Sequence, residues 1–296
     1  MKKKDYRPTS IKLLRLVFPK LERYFPSLAF WLFRQAFFVP IGFPFPEEEK
    51  KMIAKANKFS FKVAKKKIQC YSWGEESDPY VLFLHGWAGR ATQFRKFISP
   101  FQQRGFRLIG VDGPAHGKSE GIKTSITEFE STLKKLIEIK GNPEMIIAHS
   151  FGGAATLFSI SRGLPIKNVI NIASPSIQDE IIKSFLNGVN GTWKTGEKLK
   201  GYILKDTGKK FVEFTSLYTA RFLPADLNLL LVHDENDNEV TLSHAHSFIE
   251  VYPRAELFVT SGLGHTRILK DESVVERCIQ FLENNLRSDL AIPKIE

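Results

Sequence analysis

The sequence predicts an α/β fold in which a mostly parallel, doubly wound sheet is covered by helices and carries one helical insertion. Two observations lead to this fold class. Short runs of consecutive apolar residues, typical of strands buried on both faces, recur along the chain and alternate with segments of helical period. The 296-residue chain, with 43% hydrophobic and 12% aromatic residues, is also long and apolar enough to bury such a sheet.

Two kinds of strand are predicted. The segments FSFKVA (59–64) and KIQCYSW (67–73) alternate apolar and polar residues with a period of two, which indicates half-exposed strands. Five later runs are continuously apolar, which favours strands in the interior of a parallel sheet. These runs are YVLFLH (80–85), RLIGV (107–111), MIIAH (145–149), VINIA (169–173) and LLLVH (229–233).

Helices are predicted around these strands from apolar residues spaced three and four apart. One of them is introduced by Ser125 and Glu128, which form a capping-box pattern. The predicted apolar faces are Phe94, Phe97, Ile98 and Phe101, then Phe129, Leu133, Leu136 and Ile137, and, in a terminal helix, Val274, Val275, Cys278, Phe281 and Leu282.

The chain divides into a basic, aromatic N-terminal arm (1–55) and an α/β domain (56–290) with an insertion at about 175–225. Between its prolines, the arm is predicted to form two short helices, over residues 11–18 and 28–38. It either packs on the main body or lies on a membrane surface, because basic residues beside Trp31 and several phenylalanines suit a lipid interface. The insertion contains no strong strand pattern, so we expect helices that cap the carboxyl edge of the sheet.

The net charge of +11 is concentrated in the arm, where nine basic residues stand against only Asp5 and Glu22 within residues 1–35. No arginine-rich stripe, zinc-finger spacing or aromatic–glycine RNA-binding pattern accompanies this charge, so we expect no nucleic-acid partner. The charge favours solubility and a weak membrane-surface contact through residues 1–40. The basic residues are Lys2, Lys3, Lys4, Arg7, Lys12, Arg15, Lys20, Arg23 and Arg34.

Neither export nor membrane insertion is predicted. Lys12 and Arg15 interrupt the apolar residues near the start, and no small-residue cleavage site follows them. The most apolar stretch, 28–45, is interrupted by an arginine and by prolines and is shorter than the roughly 20 apolar residues that a span needs. Cys70 and Cys278 are predicted to be buried free thiols, so we expect a cytoplasmic protein, peripheral to the membrane if the arm binds lipid.

The first candidate for chemistry is Ser150, in the segment MIIAHSFGG (145–153). A serine on a tight strand-to-helix turn projects its hydroxyl at the carboxyl edge of the sheet, where helix N–H groups favour negative charge. Gly152 and Gly153 supply the small neighbours that such a turn needs. The G-x-S-x-G pattern is matched except that Ala148 replaces the first glycine. The alternative is a serine that only caps the helix.

Two further motifs precede this serine. HGW (85–87) ends an earlier buried strand, and VDGPAHGKSEG (111–121) contains the turn after the next one. With the serine motif they make residues 59–290 resemble the α/β-hydrolase superfamily of esterases and lipases. The resemblance implies an oxyanion hole made by the backbone N–H groups of Trp87 and Phe151. We expect His85 and the turn at 111–121 to have structural and not catalytic roles.

The resemblance also implies an acid in the loop after the strand LLLVH (229–233). In the family this acid lies four residues beyond the histidine of a His-Gly-x-x-Asp pattern, which is the position of Asp237 here. Asp234 stands where the family commonly has glycine, and it and Glu235 are rival candidates. All three acids could also form only the turn or the cap of the next helix.

The base is expected at His265, in the glycine-rich segment TSGLGHTRILKDE (260–272). The chain order Ser150, Asp237, His265 is the order of nucleophile, acid and base expected of this fold. It predicts a serine hydrolase that cleaves a carboxylic ester through an acyl-enzyme, without metal or cofactor, in a small molecule with an apolar acyl or alcohol part. Thioester, amide or carbon–carbon cleavage by the same triad stays open, as does a non-catalytic ligand-binding protein on this fold.

Overall fold

The computed structural model describes residues 9–291, and their side chains over residues 13–286. The chain forms two compact units. One, here called the helical unit, combines the residues up to Val39 with Ile177–Thr215; the other, the sheet unit, combines Pro40–Ser176 with the residues from Ser216 onward. Within residues 9–291, no helix has both the length and the apolar character needed to cross a bilayer.

The sheet unit is built on a mixed sheet whose strands are β1 (Asn57–Val63), β2 (Lys66–Trp73), β3 (Tyr80–Leu84), β4 (Arg107–Val111), β5 (Met145–His149), β6 (Asn168–Ile172), β7 (Asn228–Asp234) and β8 (Glu256–Thr260). Their order across the sheet is β1-β2-β4-β3-β5-β6-β7-β8. β2 is antiparallel to both β1 and β4, and all other neighbours are parallel. The predicted fold class, with its mostly parallel sheet, is therefore confirmed.

Helices account for most of the remaining regular structure. They are α1 (Thr9–Tyr24), α2 (Pro26–Phe38), α3 (Glu47–Ala54), α4 (Arg95–Gln102), α5 (Ile126–Lys140), α6 (Phe151–Ile160), α7 (Gln178–Val189), α8 (Trp193–Thr207), α9 (Ser216–Thr219), α10 (Ser243–Val251), α11 (Gly264–Arg267) and α12 (Glu272–Ala291). α1, α2, α7 and α8 belong to the helical unit, so the predicted insertion is helical. Short 3-10 helices cover 91–94, 211–214, 220–222 and 268–270.

Side chains of the central strands alternate between two apolar layers. Along β3, Leu82 and Leu84 pack with one layer, while Val81 and Phe83 pack with the other. The first layer includes residues of α5, α6 and α10, and the second includes residues of α4 and α12. Because a strand turns successive side chains to opposite faces, covering both faces requires a continuously apolar strand, as the sequence has here.

Helix α1 of the helical unit is longer than the sequence predicts. A helix over residues 11–18 was expected to end before Pro19, yet α1 continues through this proline to Tyr24. Proline has no N–H to donate to the carbonyl oxygen four residues earlier, which is that of Arg15. The side-chain amide of Asn190 donates to this oxygen instead, at 3.2 Å. The tertiary hydrogen bond thus satisfies the group that the proline leaves unpaired.

Candidate active site

Ser150 occupies the turn between strand β5 and helix α6. Its backbone has φ 51° and ψ −121°, a left-handed region that non-glycine residues rarely adopt. The turn is closely packed: a Cβ atom on Gly152 would lie 2.5 Å from the carbonyl oxygen of His85 and 2.6 Å from that of Leu84. On the other side, a Cβ atom on Gly86 would lie 2.8 Å from the Ser150 Cβ. The glycines therefore permit the sharp turn that presents the serine hydroxyl.

Three of the side chains predicted to act together are brought into one hydrogen-bonded chain. Ser150 Oγ lies 3.1 Å from His265 Nε2, and His265 Nδ1 lies 2.7 Å from Asp237 Oδ2. The three residues follow β5, β8 and β7 respectively, so all of them lie at the carboxyl edge of the sheet. Parallel strands that end at one edge explain how residues more than a hundred positions apart come into contact.

The carboxylate of Asp237 is held from both sides. Its Oδ1 atom accepts hydrogen bonds from the backbone N–H groups of Glu239, at 2.8 Å, and Val240, at 2.9 Å, while Oδ2 faces His265. Burial by itself raises the pKa of Asp237, but the hydrogen bond and charge of His265 together with these backbone donors outweigh it. The pKa of Asp237 therefore lies below its ordinary value, and the side chain is ionised at neutral pH.

The ionised carboxylate of Asp237 also fixes which nitrogen of the His265 imidazole carries the proton. Since an ionised carboxylate can only accept, Nδ1 must carry the proton that bonds to Asp237. This leaves the lone pair of Nε2 directed at the serine hydroxyl in the neutral imidazole. The arrangement can therefore take a proton from Ser150 and stabilise the resulting charged ring. In the described part of the chain, no group of three or more His, Cys, Asp or Glu side chains is arranged to hold a metal ion.

Known proteins are similar in sequence to parts of this chain. A family model of the alpha/beta hydrolase fold matches residues 79–193, the segment that contains both Trp87 and Ser150. A serine hydrolase-like protein from Homo sapiens is 33% identical over 91 residues, covering 29% of this chain and 44% of that protein. The chain thus spans less than half the length of this curated relative.

Solved structures resemble most of the chain at low sequence identity. An esterase from Pyrococcus furiosus, 18% identical, has a TM-score of 0.61 and covers 83% of this chain and 97% of its own. The thioesterase domain from the curacin biosynthetic pathway, 15% identical, has a TM-score of 0.57 and covers 77% and 99%. The chain has the α/β-hydrolase fold. At these identities the structural likeness concerns the fold and not the substrate.

Within this fold, the carboxylate of Asp234, the rival candidate for the acid, is bonded to other groups. Its two carboxylate oxygens accept four hydrogen bonds, and three of the four donors belong to the segment just before the histidine of the hydrogen-bonded chain. The bonds come from Thr260 Oγ1 at 2.8 Å, Leu263 N at 3.0 Å, Gly264 N at 2.8 Å and Asn236 N at 3.0 Å. Asp234 therefore holds the loop that carries His265, and it does not contact the imidazole of that residue itself.

Trp87 and Phe151, whose N–H groups the resemblance assigns to an oxyanion hole, lie on either side of the serine turn. Phe151 is the first residue of α6, and Trp87 follows the Gly86 that packs against the Ser150 Cβ. The aromatic rings of Trp87 and Phe151 meet edge to face, with centroids 5.4 Å apart. The two residues are thus neighbours across the turn, although they are more than sixty positions apart in the sequence.

Two buried histidines hold the loop that carries Trp87. His85 Nε2 accepts a hydrogen bond from Gly113 N at 2.8 Å, and His116 Nε2 accepts one from Ala88 N at 3.1 Å. Burial lowers the pKa of His116 to about 4 and that of His85 well below its ordinary value, so both rings are neutral and can accept. The structural role expected for His85 agrees with these contacts.

His149 contributes a contact that the sequence did not indicate. Its Nε2 atom lies 2.9 Å from the backbone carbonyl oxygen of His265, and the two imidazole rings lie 4.8 Å apart between centroids. In the sequence His149 adjoins Ser150, a position from which its side chain cannot easily turn back onto the serine. The only sequence signal was its position at the end of a buried strand, which does not reveal a partner in a distant loop.

Proposed function

We propose that this protein is a serine hydrolase that cleaves carboxylic esters, with Ser150 as nucleophile, His265 as general base and Asp237 as the acid that orients the base. The observation that carries the proposal is the continuous chain of contacts from Ser150 Oγ through both nitrogens of His265 to Asp237 Oδ2, at 3.1 Å and 2.7 Å. A buried, ionised carboxylate that bonds to a histidine has a use in catalysis that a binding protein does not require.

The proposed reaction begins with attack of Ser150 Oγ on the carbonyl carbon of the ester. His265 Nε2 accepts the hydroxyl proton, and Asp237 stabilises the imidazolium ion that results. The protonated ring then donates this proton to the alcohol oxygen as the carbon–oxygen bond breaks, which leaves an acyl group on the serine. Water, deprotonated by the same imidazole, then attacks the acyl carbon. As the bond from this carbon to Ser150 Oγ breaks, the imidazolium returns its proton to Oγ, which releases the acid and restores the serine.

The developing negative charge on the carbonyl oxygen would be bound by the backbone N–H groups of Trp87 and Phe151. Their position on either side of the serine turn supports this role, as does the rigid support of the Trp87 loop by His85 and His116. Donors fixed before the reaction are effective because they need no rearrangement as the charge forms. Removal of a comparable donor costs about 10²- to 10³-fold in kcat.

The substrate we propose is a small ester with an apolar acyl or alcohol part, in keeping with a chain that contains 25 phenylalanines. The likeness to an esterase and to a thioesterase domain fits hydrolysis of an acyl bond but does not distinguish an oxygen ester from a thioester. Amide and carbon–carbon bonds can be cleaved by the same three side chains. The choice among these bonds is therefore left to a substrate panel.

The first experiment asks whether Ser150 is a reactive nucleophile. The purified chain is treated with a fluorophosphonate probe, which labels serines activated by a neighbouring base, and the labelled peptide is found by mass spectrometry. We expect label on Ser150 in the wild type and none in Ser150→Ala. Ser131→Ala is the matched control, because Ser131 is an exposed helical serine whose hydroxyl donates to the carbonyl oxygen of Thr127 in its own helix, and its loss should leave labelling unchanged.

The second experiment asks which bond is cleaved. Wild type and Ser150→Ala are compared on nitrophenyl esters from acetyl to dodecanoyl, and on the matching thioesters and anilides. We expect the esters to be cleaved fastest, and Ser150→Ala to be slower by at least about 10⁴-fold in kcat. Equal turnover by the two proteins would exclude Ser150 as nucleophile. Absence of both labelling and turnover would favour a ligand-binding protein instead.

A further inference from the structure

Helix α1 of the helical unit carries apolar side chains on two adjoining faces, one packed and one exposed. Phe18 is fully buried, and Leu14 and Leu21 pack against the same core. Other apolar residues of α1 point into solvent, and they share one helical face because they are related by steps of three, four and seven. These are Leu13, Leu16, Val17 and Tyr24, of which Leu16 is 74% exposed and Tyr24 64%. A surface helix usually places polar residues there.

The exposed apolar face continues into helix α2. Phe25, which immediately precedes α2, and Leu28 and Trp31, which lie one turn apart on it, are all exposed. Ala29 and Phe33, on the other side of α2, are fully buried in the core of the helical unit. We call the exposed set the α1–α2 face; it comprises Leu13, Leu16, Val17, Tyr24, Phe25, Leu28 and Trp31.

This concentration is unusual for the described residues. Half of the exposed large hydrophobic side chains there belong to the α1–α2 face, although that face spans only residues 13–31. Scattered exposed apolar residues are normal on a soluble protein, whereas a contiguous group marks a surface that another body covers.

The charges around the α1–α2 face are almost all positive. Lys20 and Arg23 are exposed on the same helix, and the guanidinium of Arg23 lies over the ring of Tyr24. The one acidic residue of α1, Glu22, is turned inward: its carboxylate accepts hydrogen bonds from Thr192 N, Thr192 Oγ1 and Thr195 Oγ1 at the start of α8. Residues 1–35 as a whole carry a net charge of +7. The surface thus combines apolar side chains with cations and presents little negative charge.

We propose that the α1–α2 face docks on an anionic lipid bilayer, with its apolar and aromatic side chains in the headgroup region and its basic residues against lipid phosphates. This combination is what an interfacial helix needs, because apolar burial and attraction to anionic lipid act together. Trp31 and Tyr24 suit this depth, since each has an apolar body and a polar atom that stays hydrated.

Two other occupants fit the face less well. A second copy of this chain would bring two positively charged surfaces together in a symmetric contact, and like charges across an interface weaken association. A nucleic acid would pair with the basic residues but would leave the apolar side chains against phosphate and water. The docking is independent of the proposed hydrolysis, because no residue of the α1–α2 face belongs to the hydrogen-bonded chain of Ser150, His265 and Asp237.

The test is flotation of the full-length chain with lipid vesicles, in a Ser150→Ala background so that no lipid can be consumed. Vesicles of phosphatidylcholine alone are compared with vesicles that contain one quarter phosphatidylglycerol, at low and at high salt. The variant Leu16→Glu/Leu28→Glu places two carboxylates on the face at exposed positions, where the fold does not depend on the leucines. The matched control is Ile122→Glu, which adds a carboxylate at a residue of the sheet unit that is 77% exposed.

We expect the parent chain to float with the anionic vesicles, at least about tenfold more strongly than with phosphatidylcholine alone, and to be released in part by high salt. The double variant should lose about tenfold or more of this binding, while Ile122→Glu keeps most of it. Equal flotation of the parent and the double variant would overturn the proposal. A second outcome would also overturn it: neither protein floats, and light scattering shows that the parent chain forms a concentration-dependent dimer that the double variant does not form.

Discussion

The ring of His149 donates a hydrogen bond from Nε2 to the backbone carbonyl oxygen of His265, 2.9 Å away. Burial, together with repulsion from His265, lowers the pKa of His149 to about 3, so the ring is neutral and its single proton is on the nitrogen that faces this carbonyl. The other nitrogen, Nδ1, has no hydrogen-bond partner among the described residues. The residue before Ser150 thus fixes the main chain of His265.

We expect His149→Leu to lower kcat about fivefold with little change in KM, because the variant loses one positioning hydrogen bond, which contributes about 1 kcal/mol. His149→Gln should recover most of the rate, since a glutamine amide can donate to the same carbonyl oxygen. Steady-state kinetics on a cleaved ester measure both. A loss as large as that of Ser150→Ala would instead mean that His149 takes part in the chemistry.

Asp237→Asn should reduce kcat by about 10³- to 10⁴-fold while the melting temperature stays close to that of the wild type. The amide can donate to His265 Nδ1, which would move the ring proton to Nε2 and remove the lone pair that accepts from Ser150. Kinetics and thermal unfolding of the same preparation separate the two effects. A variant that retains more than a tenth of the wild-type kcat would argue against Asp237 as the orienting acid.

Asp234→Asn tests the neighbouring carboxylate, and we expect a loss of stability as well as of activity. Four donors share the two oxygens of Asp234, and an amide would turn an N–H group toward two of them. Donors left unpaired cost about 1 to 3 kcal/mol each, so the free energy of unfolding should fall by about 2 kcal/mol or more. Urea denaturation gives this value, and an unchanged midpoint would contradict the role of Asp234 in holding the loop.

Much of the sheet could be predicted because its strands are buried on both faces. The five continuously apolar runs lie within one residue of β3, β4, β5, β6 and β7 at each end. Strand β8 was not predicted, because it lies at the edge of the sheet and its residues Glu256–Thr260 are exposed or only partly buried, which leaves no continuous apolar run. Helix α3 was missed for a similar reason: its first turn is glutamate-rich, and within the helix only Glu49 is buried.

The residues of the candidate site were predictable from motif order, whereas the contacts that hold them were not. Ser150, Asp237 and His265 each follow a strand in a recognisable segment, so the sequence could name all three. His149 bonds to a backbone carbonyl oxygen more than a hundred positions away, and the Arg15 carbonyl oxygen that Pro19 leaves unpaired accepts from the amide of Asn190. Such partners depend on tertiary packing, which no local pattern records.

The buried histidine His116 should make the fold less stable in mild acid. Its pKa is about 4 in the folded chain and 6.5 when unfolded, so the unfolded state binds more protons between these values. The free energy of unfolding therefore falls as the pH drops from 6.5 to 4, and this residue contributes about 3 kcal/mol to the total change.

The variant His116→Gln isolates this effect, because a glutamine oxygen can still accept from Ala88 N but does not titrate in this range. Urea denaturation at pH 7 and pH 5 should show a smaller loss of stability for the variant than for the wild type. Identical pH dependence of the two proteins would show that His116 is not held neutral.

Gly152→Ala should disturb the serine turn more than its size suggests. The added methyl group would lie 2.5 Å and 2.6 Å from two backbone carbonyl oxygens of the neighbouring strand end, and backbone atoms cannot move aside as a flexible side chain can. We expect a loss of stability of about 2 kcal/mol and a fall in kcat, because α6 and Ser150 must shift. Gly201→Ala is the matched control: a Cβ there meets nothing within 4 Å, and this exposed position in α8 should gain about 1 kcal/mol from the higher helix propensity of alanine. If Gly152→Ala and Gly201→Ala both raised or both lowered the free energy of unfolding, the close contact at Gly152 would not explain why a glycine is needed there.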